Sequence, residues 1–298
     1  MTPAVVATTH AILVLVAALL LEGLALSQAQ AQGKLDARYT ATLAGIPIGK
    51  GALAVDIGDK RYTAAASGRT TGLVRLFASG QGTSASRGFV RNGAIIPLTY
   101  ASNLSSGNKA EDLRIVMRRG AVKDVSINPP PPPRADRLPV PASHRRGVVD
   151  PMSAALMYVS GKGETISAEA CHRTIAIFDG RMRFDLQLSF KRMATVQAAR
   201  GYQGPVAVCA VQFVPLSGYV PHRAAITYLK NQREIEIWLA PVAGTRMMVP
   251  FKLLLRTPFG LGVLEATHFV SAPSRMGAAP APGGPRPARP TPTAIQAR

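Results

Sequence analysis

Residues 172–196 read HRTIAIFDGRMRFDLQLSFKRMATV, in which two runs of alternating apolar and polar residues meet at Asp179-Gly180. Successive side chains of an extended strand point to opposite faces, so the apolar positions of both runs can share one face of a sheet. Asp-Gly between two such runs is a strong signal for a tight turn. The stretch therefore predicts a β-hairpin whose apolar face carries Ile175, Ile177, Phe184, Leu186, Leu188 and Phe190.

The chain has two cysteines, one on each side of this hairpin. Cys171 stands directly before the first strand, and Cys209 lies in the later apolar run PVAVCAVQFV. In an oxidising compartment we predict a disulfide between them, which would stabilise the domain by about 3–4 kcal/mol in the chain-entropy model. Two unpaired core thiols are the alternative. A metal site is disfavoured, because the chain has no CxxC motif and only His172 stands beside a cysteine.

The start of the chain predicts export. Residues 11–26 (AILVLVAALLLEGLAL) are almost wholly apolar, and Ala29-Gln30-Ala31 supplies the small-x-small pattern that signal peptidase accepts. Two features weaken the signal: no Lys or Arg precedes the run, and Glu22 interrupts it. We predict a cleaved Sec-type signal peptide over residues 1–31 and a periplasmic protein. The alternative is an uncleaved N-terminal anchor in the inner membrane, with the domain facing the periplasm.

The body of the chain, residues 35–271, is predicted to form a single β-rich domain. Short alternating runs separated by Gly-containing turns favour an antiparallel meander of about a dozen strands. Residues 72–77 are expected to form a helical turn or crossover, and residues 222–232 a short helix. Another short helix is predicted after Asp150-Pro151, where Asp caps and Pro opens it, and it should plug a core or a barrel mouth. We therefore predict a mainly β fold, with a large curled antiparallel sheet or incomplete β-barrel.

Two segments are rich in proline and arginine. Residues 128–149 contain five consecutive prolines from Pro129 to Pro133, and this composition predicts an extended polyproline II connector on the surface, without strand or helix. A docking segment for a proline-binding partner is the alternative. Residues 272–298 contain no acidic residue and are predicted to be a disordered basic tail.

The charge balance predicts anionic partners. The formal net charge is +19 and the pI is near 10.9. For an exported chain, lipid head groups, lipopolysaccharide phosphates and wall polymers fit this field better than nucleic acid, and peripheral membrane contact fits it too. A genome that favours arginine codons would give the same balance without a binding role. Aromatic and Met side chains are spread one per element, which predicts a core and, if the sheet curls, an apolar cavity.

The sequence carries no recognisable catalytic motif. His172, His222 and His268 each stand alone in their segments, and HExxH, GxSxG and phosphate-loop patterns are missing. Asp179 is explained as a turn residue, and the neighbouring Arg181, Arg183 and Asp185 are expected to form cross-strand ion pairs on the polar face. Cys171 and His172 point to opposite faces of a strand, which excludes a dyad. We predict no catalytic, cofactor or metal residues, and no enzyme.

Several short elements resemble the domain of unknown function 3108 family of exported bacterial proteins. The most specific is the hairpin turn, and the others are Tyr39 with the GIPIG segment at residues 45–49, Gly72-Leu73, the DPMS segment at residues 150–153, and Val249-Pro250-Phe251 with Thr257 and Gly260. The resemblance covers residues 35–271. It implies a periplasmic, β-rich protein with a curled sheet similar to lipoprotein-carrier folds, and it supplies no catalytic residues. The hairpin signature consists of Phe178, Asp179, Gly180, Arg181, Arg183 and Phe184.

Three functions are compatible with the sequence. The first is a non-enzymatic periplasmic protein of the cell envelope that binds a lipid-like or anionic ligand within its curved sheet. The second is a structural or interaction protein that engages wall polymers or the membrane surface through its basic connector and tail. The third is an unrecognised hydrolase, which would need polar side chains that converge in one pocket.

Overall fold

The computed structural model of the protein describes residues 32–72 and 79–274. Residues 1–31, residues 73–77 of the predicted crossover and residues 275–298 of the predicted tail lie outside this range. The described chain confirms the mainly β prediction with one large antiparallel sheet. Its strands are β1 (Gly33–Leu43), β2 (Ile46–Ile57), β3 (Arg61–Thr70), β4 (Gly80–Arg91), β5 (Ala94–Ser106), β6 (Lys109–Arg118), β7 (Ala121–Asn128), β8 (Met157–Tyr158), β9 (Arg173–Phe178), β10 (Arg183–Gln197), β11 (Arg200–Gly201), β12 (Gln203–Ser217), β13 (Ile235–Pro241), β14 (Met247–Thr257) and β15 (Gly260–Pro273).

The sheet consists of two meanders joined at the first and last strands. Its order is β7-β6-β5-β4-β3-β2-β1-β15-β14-β13-β12-β10-β9. The short strands β8 and β11 pair with β14 and β15 outside this order. Strands β1 and β15 run antiparallel, with Gly33 opposite Pro273. We call β1–β7 the N-terminal half and β8–β15 the C-terminal half.

Tight turns fix the register of the N-terminal half. Asn92-Gly93 and Arg119-Gly120 each join two strands, and all four residues have positive φ. Two consecutive positive φ angles define a type I′ turn, whose twist matches that of the flanking strands. Both turns join antiparallel neighbours, in agreement with the predicted meander.

The connector between the two halves crosses the gap between the end strands of the sheet. Arg146 forms a single antiparallel bridge to Ala121 in β7, and Val149 forms a parallel bridge to Ile177 in β9. Val148, between them, is buried in the core. A short 3-10 helix over Ala142–Arg145 precedes this crossing. The prediction of a surface connector without helix is therefore wrong for its second part, because its valines supply apolar surface that the core buries.

Two hydrophobic cores lie on opposite faces of β12. Val206 packs in the larger core, which extends into the N-terminal half, whereas Ala207 and Cys209 pack in a smaller one. The smaller core also holds Met157 and Val159, from the segment that precedes β9. Strand β12 is buried on both faces, as its continuous apolar run predicts.

The described chain has one α-helix, α1 (Ala224–Asn231), at the position predicted from residues 222–232. The helix predicted over residues 150–159 is wrong in length: only a 3-10 turn over Ser153–Ala155 forms, and β8 follows directly. The segment still fills the interior as expected, because Met152, Leu156 and Val159 are buried. None of the helices in the described ranges is long and apolar enough to cross a membrane.

Candidate functional site

The signature hairpin ends in a four-residue loop, Asp179 to Met182, rather than in a two-residue Asp-Gly turn. Phe178 pairs with Arg183 at its base. The Asp179 Oδ1 atom accepts hydrogen bonds from the backbone N–H groups of Arg181 at 2.8 Å and Met182 at 2.6 Å. Asp179 is thus a turn residue, since its carboxylate satisfies backbone donors of its own loop.

This loop joins the hairpin to the opposite half of the sheet. The Arg181 guanidinium lies 2.6 Å from the carboxylate of Glu111 on β6. A side chain at Gly180 would meet Leu113, also on β6, at 2.6 Å. Strands β6 and β9 are near opposite ends of the sheet order, so these contacts require a curled sheet.

The other signature residues are structural as well. Phe178 is buried in the larger core, and the Phe184 ring packs against Phe213 with centroids 5.2 Å apart. Arg183 forms an ion pair with Asp185, two residues along the same strand, at 2.6 Å. The predicted cross-strand pairing is wrong, because Arg183 pairs along its own strand and Arg181 reaches β6.

The predicted disulfide between Cys171 and Cys209 is present, with the two Cα atoms 5.3 Å apart. Cys171 follows a short 3-10 helix and stands two residues before β9, whereas Cys209 is in the middle of β12. Both residues are fully buried in the smaller core. The bond therefore fixes the segment that covers β12 to the strand beneath it.

A cavity of about 1150 Å³ lies against the inner face of β3–β6. It is at the edge of the sheet formed by the end of β3 and the start of β4. Small residues on that face line it: Ala66, Gly68, Gly82, Ser84 and Ser102. Their neighbours farther along the strands, Tyr62, Ser86 and Tyr100, are buried. On β3 and β5 the cavity thus begins where the inward side chains change from Tyr62 and Tyr100 to Ala66 and Ser102, and this cavity is the candidate functional site.

The mouth of the cavity is polar and basic. Arg69, Lys109 and the ion-paired Arg181 and Glu111 line its rim, together with Pro129 and Pro132 of the connector. Leu104, which is 52% exposed, supplies apolar surface beside them. The site therefore offers an apolar interior with exposed backbone groups, and basic side chains at its rim.

A buried polar cluster lies beside the cavity floor. Asp150 is completely buried, and its Oδ1 atom accepts hydrogen bonds from the backbone N–H groups of Met152 at 3.0 Å and Ser153 at 2.9 Å. Its Oδ2 atom accepts hydrogen bonds from the hydroxyls of Ser153 at 2.6 Å and Ser86 at 3.0 Å. The Tyr62 hydroxyl lies 2.6 Å from the Ser153 hydroxyl. The cluster attaches the returning connector to β3 and β4.

Burial governs the electrostatics of this cluster. Desolvation raises the pKa of Asp150 above its ordinary value, although the four donors oppose that rise. Desolvation also raises the pKa of Tyr62 to about 12. The serine hydroxyls face a carboxylate and a tyrosine, without an imidazole in the cluster, and each is already hydrogen-bonded. These hydrogen bonds satisfy the buried polar groups and so stabilise the fold.

A second charged cluster lies on the C-terminal half, around Trp238. Arg192 and Lys252 stand over its ring at 5.2 and 5.1 Å from the centroid. Glu236, which is almost buried, accepts hydrogen bonds from Arg192, Lys191 and the Trp238 indole. The hydrogen bonds from Arg192, with those from Lys191 and Trp238, lower the pKa of Glu236 to about 2.

Two histidines have a polar partner on a neighbouring segment or turn. His172 lies 3.5 Å from Glu169, and the His144 Nδ1 atom lies 2.9 Å from the Ser217 hydroxyl. Within residues 32–72 and 79–274, no three His, Cys, Asp or Glu side chains are placed to hold a metal ion.

A depression of about 680 Å³ lies on the outer face of the N-terminal half. Exposed side chains such as Ala54, Ala85, Ala101 and Arg114 line it. The inner cavity is the stronger candidate, because it is the larger of the two and continues the apolar core.

These features define a class: a curled antiparallel sheet with a packed core and, at the ends of β3–β6, a solvent-open cavity on the inner face. The chain belongs to the family described as Protein of unknown function (DUF3108), whose model matches residues 38–267, and this confirms the resemblance seen in the sequence. The protein is also similar to the crystal structure of a β-barrel-like protein of domain of unknown function DUF1849 from Brucella abortus. The two share 8% identity with a TM-score of 0.42, over 81% of this chain and 98% of that chain. No curated protein sequence matches this chain.

Proposed function

We propose that the protein is a non-enzymatic binding protein of the periplasm, which holds a lipid-like ligand with an anionic group in the inner cavity. The observation that carries this proposal is the cavity itself, with a volume of about 1150 Å³. Sites for small molecules usually measure on the order of 300–1000 Å³ and are mostly apolar with a few placed polar groups. This cavity is large enough for an acyl chain and part of a head group.

The charges at the mouth fit such a ligand. Arg69 and Lys109 are exposed at the rim, and neither has a carboxylate within ion-pair distance among the described residues. The carboxylate of Glu111 is already paired with Arg181. An apolar chain could therefore enter the interior while its phosphate or carboxylate remains at a basic rim.

The lining supports binding rather than catalysis. Among the described residues around the cavity, Glu111 is the one acid, and none is His or Cys. The nearby carboxylate of Asp150 is completely buried and hydrogen-bonded by four donors. General acid-base chemistry needs a titratable group within hydrogen-bonding reach of a bound substrate, and the cavity offers one paired carboxylate.

The proposed location rests on two independent features. The apolar run at residues 11–26 is typical of a signal peptide, and the alternative of an uncleaved anchor places the domain in the same compartment. The disulfide between Cys171 and Cys209 fits an oxidising compartment such as the periplasm.

Native mass spectrometry tests the binding role. The protein is produced with its own leader in a bacterial periplasm, purified gently and compared with two variants on the same strand. Ser102→Phe places a large ring on the inner face, in the cavity, whereas Ala101→Phe places the same ring on the outer face. We expect a co-purifying lipid in the wild type and in Ala101→Phe, and its loss from Ser102→Phe.

Two outcomes would contradict the proposal. One is a wild-type protein that carries no lipid and takes none up from added fatty acid or lysophospholipid. The other is a ligand that is retained by Ser102→Phe and lost from Ala101→Phe, which would move the site to the outer depression. Circular dichroism and thermal melting of each variant separate loss of ligand from loss of fold.

A further inference from the structure

Two turns at one end of the sheet expose an unusual amount of apolar surface. Phe259, in the turn between β14 and β15, is 81% exposed, and Ile46, at the start of β2, is 56% exposed. The two turns are in contact, because the Ala44 N–H group donates a hydrogen bond to the Leu261 carbonyl at 2.9 Å. Leu261 is also exposed. We call Ile46, Phe259 and Leu261 the apolar tip.

The apolar tip lies at the same end of the sheet as the cavity mouth. Strand pairing shows this directly: Gly49, near the start of β2, lies opposite Thr70 at the end of β3. Thr70 in turn hydrogen-bonds Gly80 at the start of β4, and Gly80 lies opposite Ser106 at the end of β5. The residues around the mouth, Thr70, Gly80 and Ser106 among them, thus belong to the strand ends beside the tip.

Positive charge surrounds this end. Lys50 and Arg69 are cross-strand neighbours, and both are exposed. Lys109 is exposed on β6. Two acidic residues at the same end, Glu111 and Glu234, are each already paired with an arginine. Anionic bilayers attract this combination: the apolar side chains can enter the interface, and the basic side chains can contact the lipid head groups.

We infer that the protein docks on anionic membranes through the apolar tip, so that the cavity mouth faces the bilayer surface. Phe259, Ile46 and Leu261 would enter the region between head groups and acyl chains. Lys50 and Arg69 would lie over the lipid phosphates. The inference does not depend on what occupies the cavity, since the tip and the basic side chains are present with or without a ligand.

Vesicle flotation tests this docking. The protein used in this test begins at Gln32, the first residue of the compact unit that contains the sheet. Residues 1–31 are left out because the apolar run at residues 11–26 would bind vesicles by itself. All variants retain residues 275–298, so any contribution from those arginines is the same in each. Vesicles of phosphatidylcholine mixed with phosphatidylglycerol are compared with vesicles of phosphatidylcholine alone.

The tip variant is Ile46→Ser with Phe259→Ser, and the matched control is Phe190→Ser with Met193→Ser, which removes two exposed apolar side chains elsewhere on the sheet. We expect the wild type and the control to float with anionic vesicles. The partition coefficient of the tip variant should fall roughly tenfold or more, because two apolar side chains that the membrane would bury are replaced by serine. Lys50→Gln with Arg69→Gln should weaken binding to anionic vesicles and reduce its sensitivity to salt.

Three results would overturn the inference: no flotation of the wild type, equal flotation of the tip variant, or a dimer in light scattering that the tip substitutions abolish without any vesicle binding. The last would assign the tip to a second copy of the chain. Native mass spectrometry of the tip variant keeps this test separate from the binding role. A tip variant that retains its lipid but no longer floats would support both proposals, and a floating protein without lipid would contradict the binding role alone.

Discussion

The two halves of the sheet use the same strand geometry and bury very different interiors. In the C-terminal half, β12 is covered on both faces, and a disulfide crosses one of the two cores. In the N-terminal half, most inward side chains of β3–β5 toward one end are Ala, Gly and Ser, with Leu104 at the mouth, and a cavity takes the place of a core. The strands of both halves pair in the same way, so side-chain volume along the inner face, rather than strand pairing, distinguishes the packed part from the part with a cavity.

Removing the disulfide should have the largest effect and should act on the C-terminal half. Cys171→Ser with Cys209→Ser opens a loop between residues 38 positions apart, and we expect a loss of about 4 kcal/mol in the free energy of unfolding. Urea titration measures the loss. Hydrogen exchange should show that β9, β10 and β12 lose protection before β2–β5.

The control is reductant, which should lower the midpoint of the wild type and leave the double variant unchanged. An identical midpoint for the oxidised and reduced wild type would mean that packing alone holds the smaller core together.

Asp150→Ala should break the attachment between the halves. It leaves two serine hydroxyls and two backbone N–H groups without their buried acceptor, and we expect a cost of about 3 kcal/mol. Asp150→Asn retains an oxygen for the backbone donors, so it should cost roughly half as much. Urea denaturation of the three proteins checks the order. Equal stability of the alanine and asparagine variants would show that the carboxylate has no specific role.

The same substitution in each half tests the difference in packing directly. Ala207→Leu adds bulk to a completely buried position of β12 and should cost about 2 kcal/mol. Ala66→Leu adds the same bulk toward the cavity and should change the free energy of unfolding by less than about 0.5 kcal/mol. Thermal melts of both variants provide the measurement. A large loss in Ala66→Leu would mean that the cavity has no room for added atoms.

The smallest expected loss of stability is electrostatic and depends on pH. The pKa of Glu236 is about 2 in the fold, below its ordinary value of 4.5. Its contribution to stability is therefore complete above about pH 5 and is lost as the pH falls through 2. Because Lys191 and Arg192 are half-exposed, solvent screening reduces this contribution to about 1 kcal/mol.

Glu236→Gln should accordingly differ from the wild type near neutral pH and converge with it in acid, as urea denaturation along a pH series would measure. Glu265→Gln is the control. Glu265 pairs with Lys252 but is more exposed than Glu236, so its substitution should have little effect. A constant difference between wild type and Glu236→Gln at every pH would show that packing, rather than charge, is responsible.

Local signals explain what could be predicted from the sequence. The Asn92-Gly93 turn, the alternation around residues 172–196 and the doubly apolar run of β12 each specify their conformation within a few residues. The cysteine pair needed one further assumption, an oxidising compartment. These features depend on short-range geometry, which a single sequence contains.

The rest depends on contacts between distant segments. The pairing of Arg181 with Glu111 joins residues 70 positions apart, and no local pattern indicates it. The helix expected after Asp150 is limited to one 3-10 turn, and the chain continues as β8, which pairs with β14, about 90 positions later in the sequence. The sequence carries one trace of the cavity, because the Gly- and Ser-rich composition of β4 is typical of a strand with little bulk to bury. That composition predicts a weak strand equally well, and only the curl of the sheet makes it the wall of a cavity.

The pairing of β1 with β15 has a consequence for engineering. Gly33 lies opposite Pro273, so the polypeptide enters and leaves the sheet at neighbouring points. The apolar tip lies at the far end of β1, eleven residues away, which corresponds to about 35 Å of extended strand. Labels or fusion partners at either end of the domain would thus leave the mouth unobstructed.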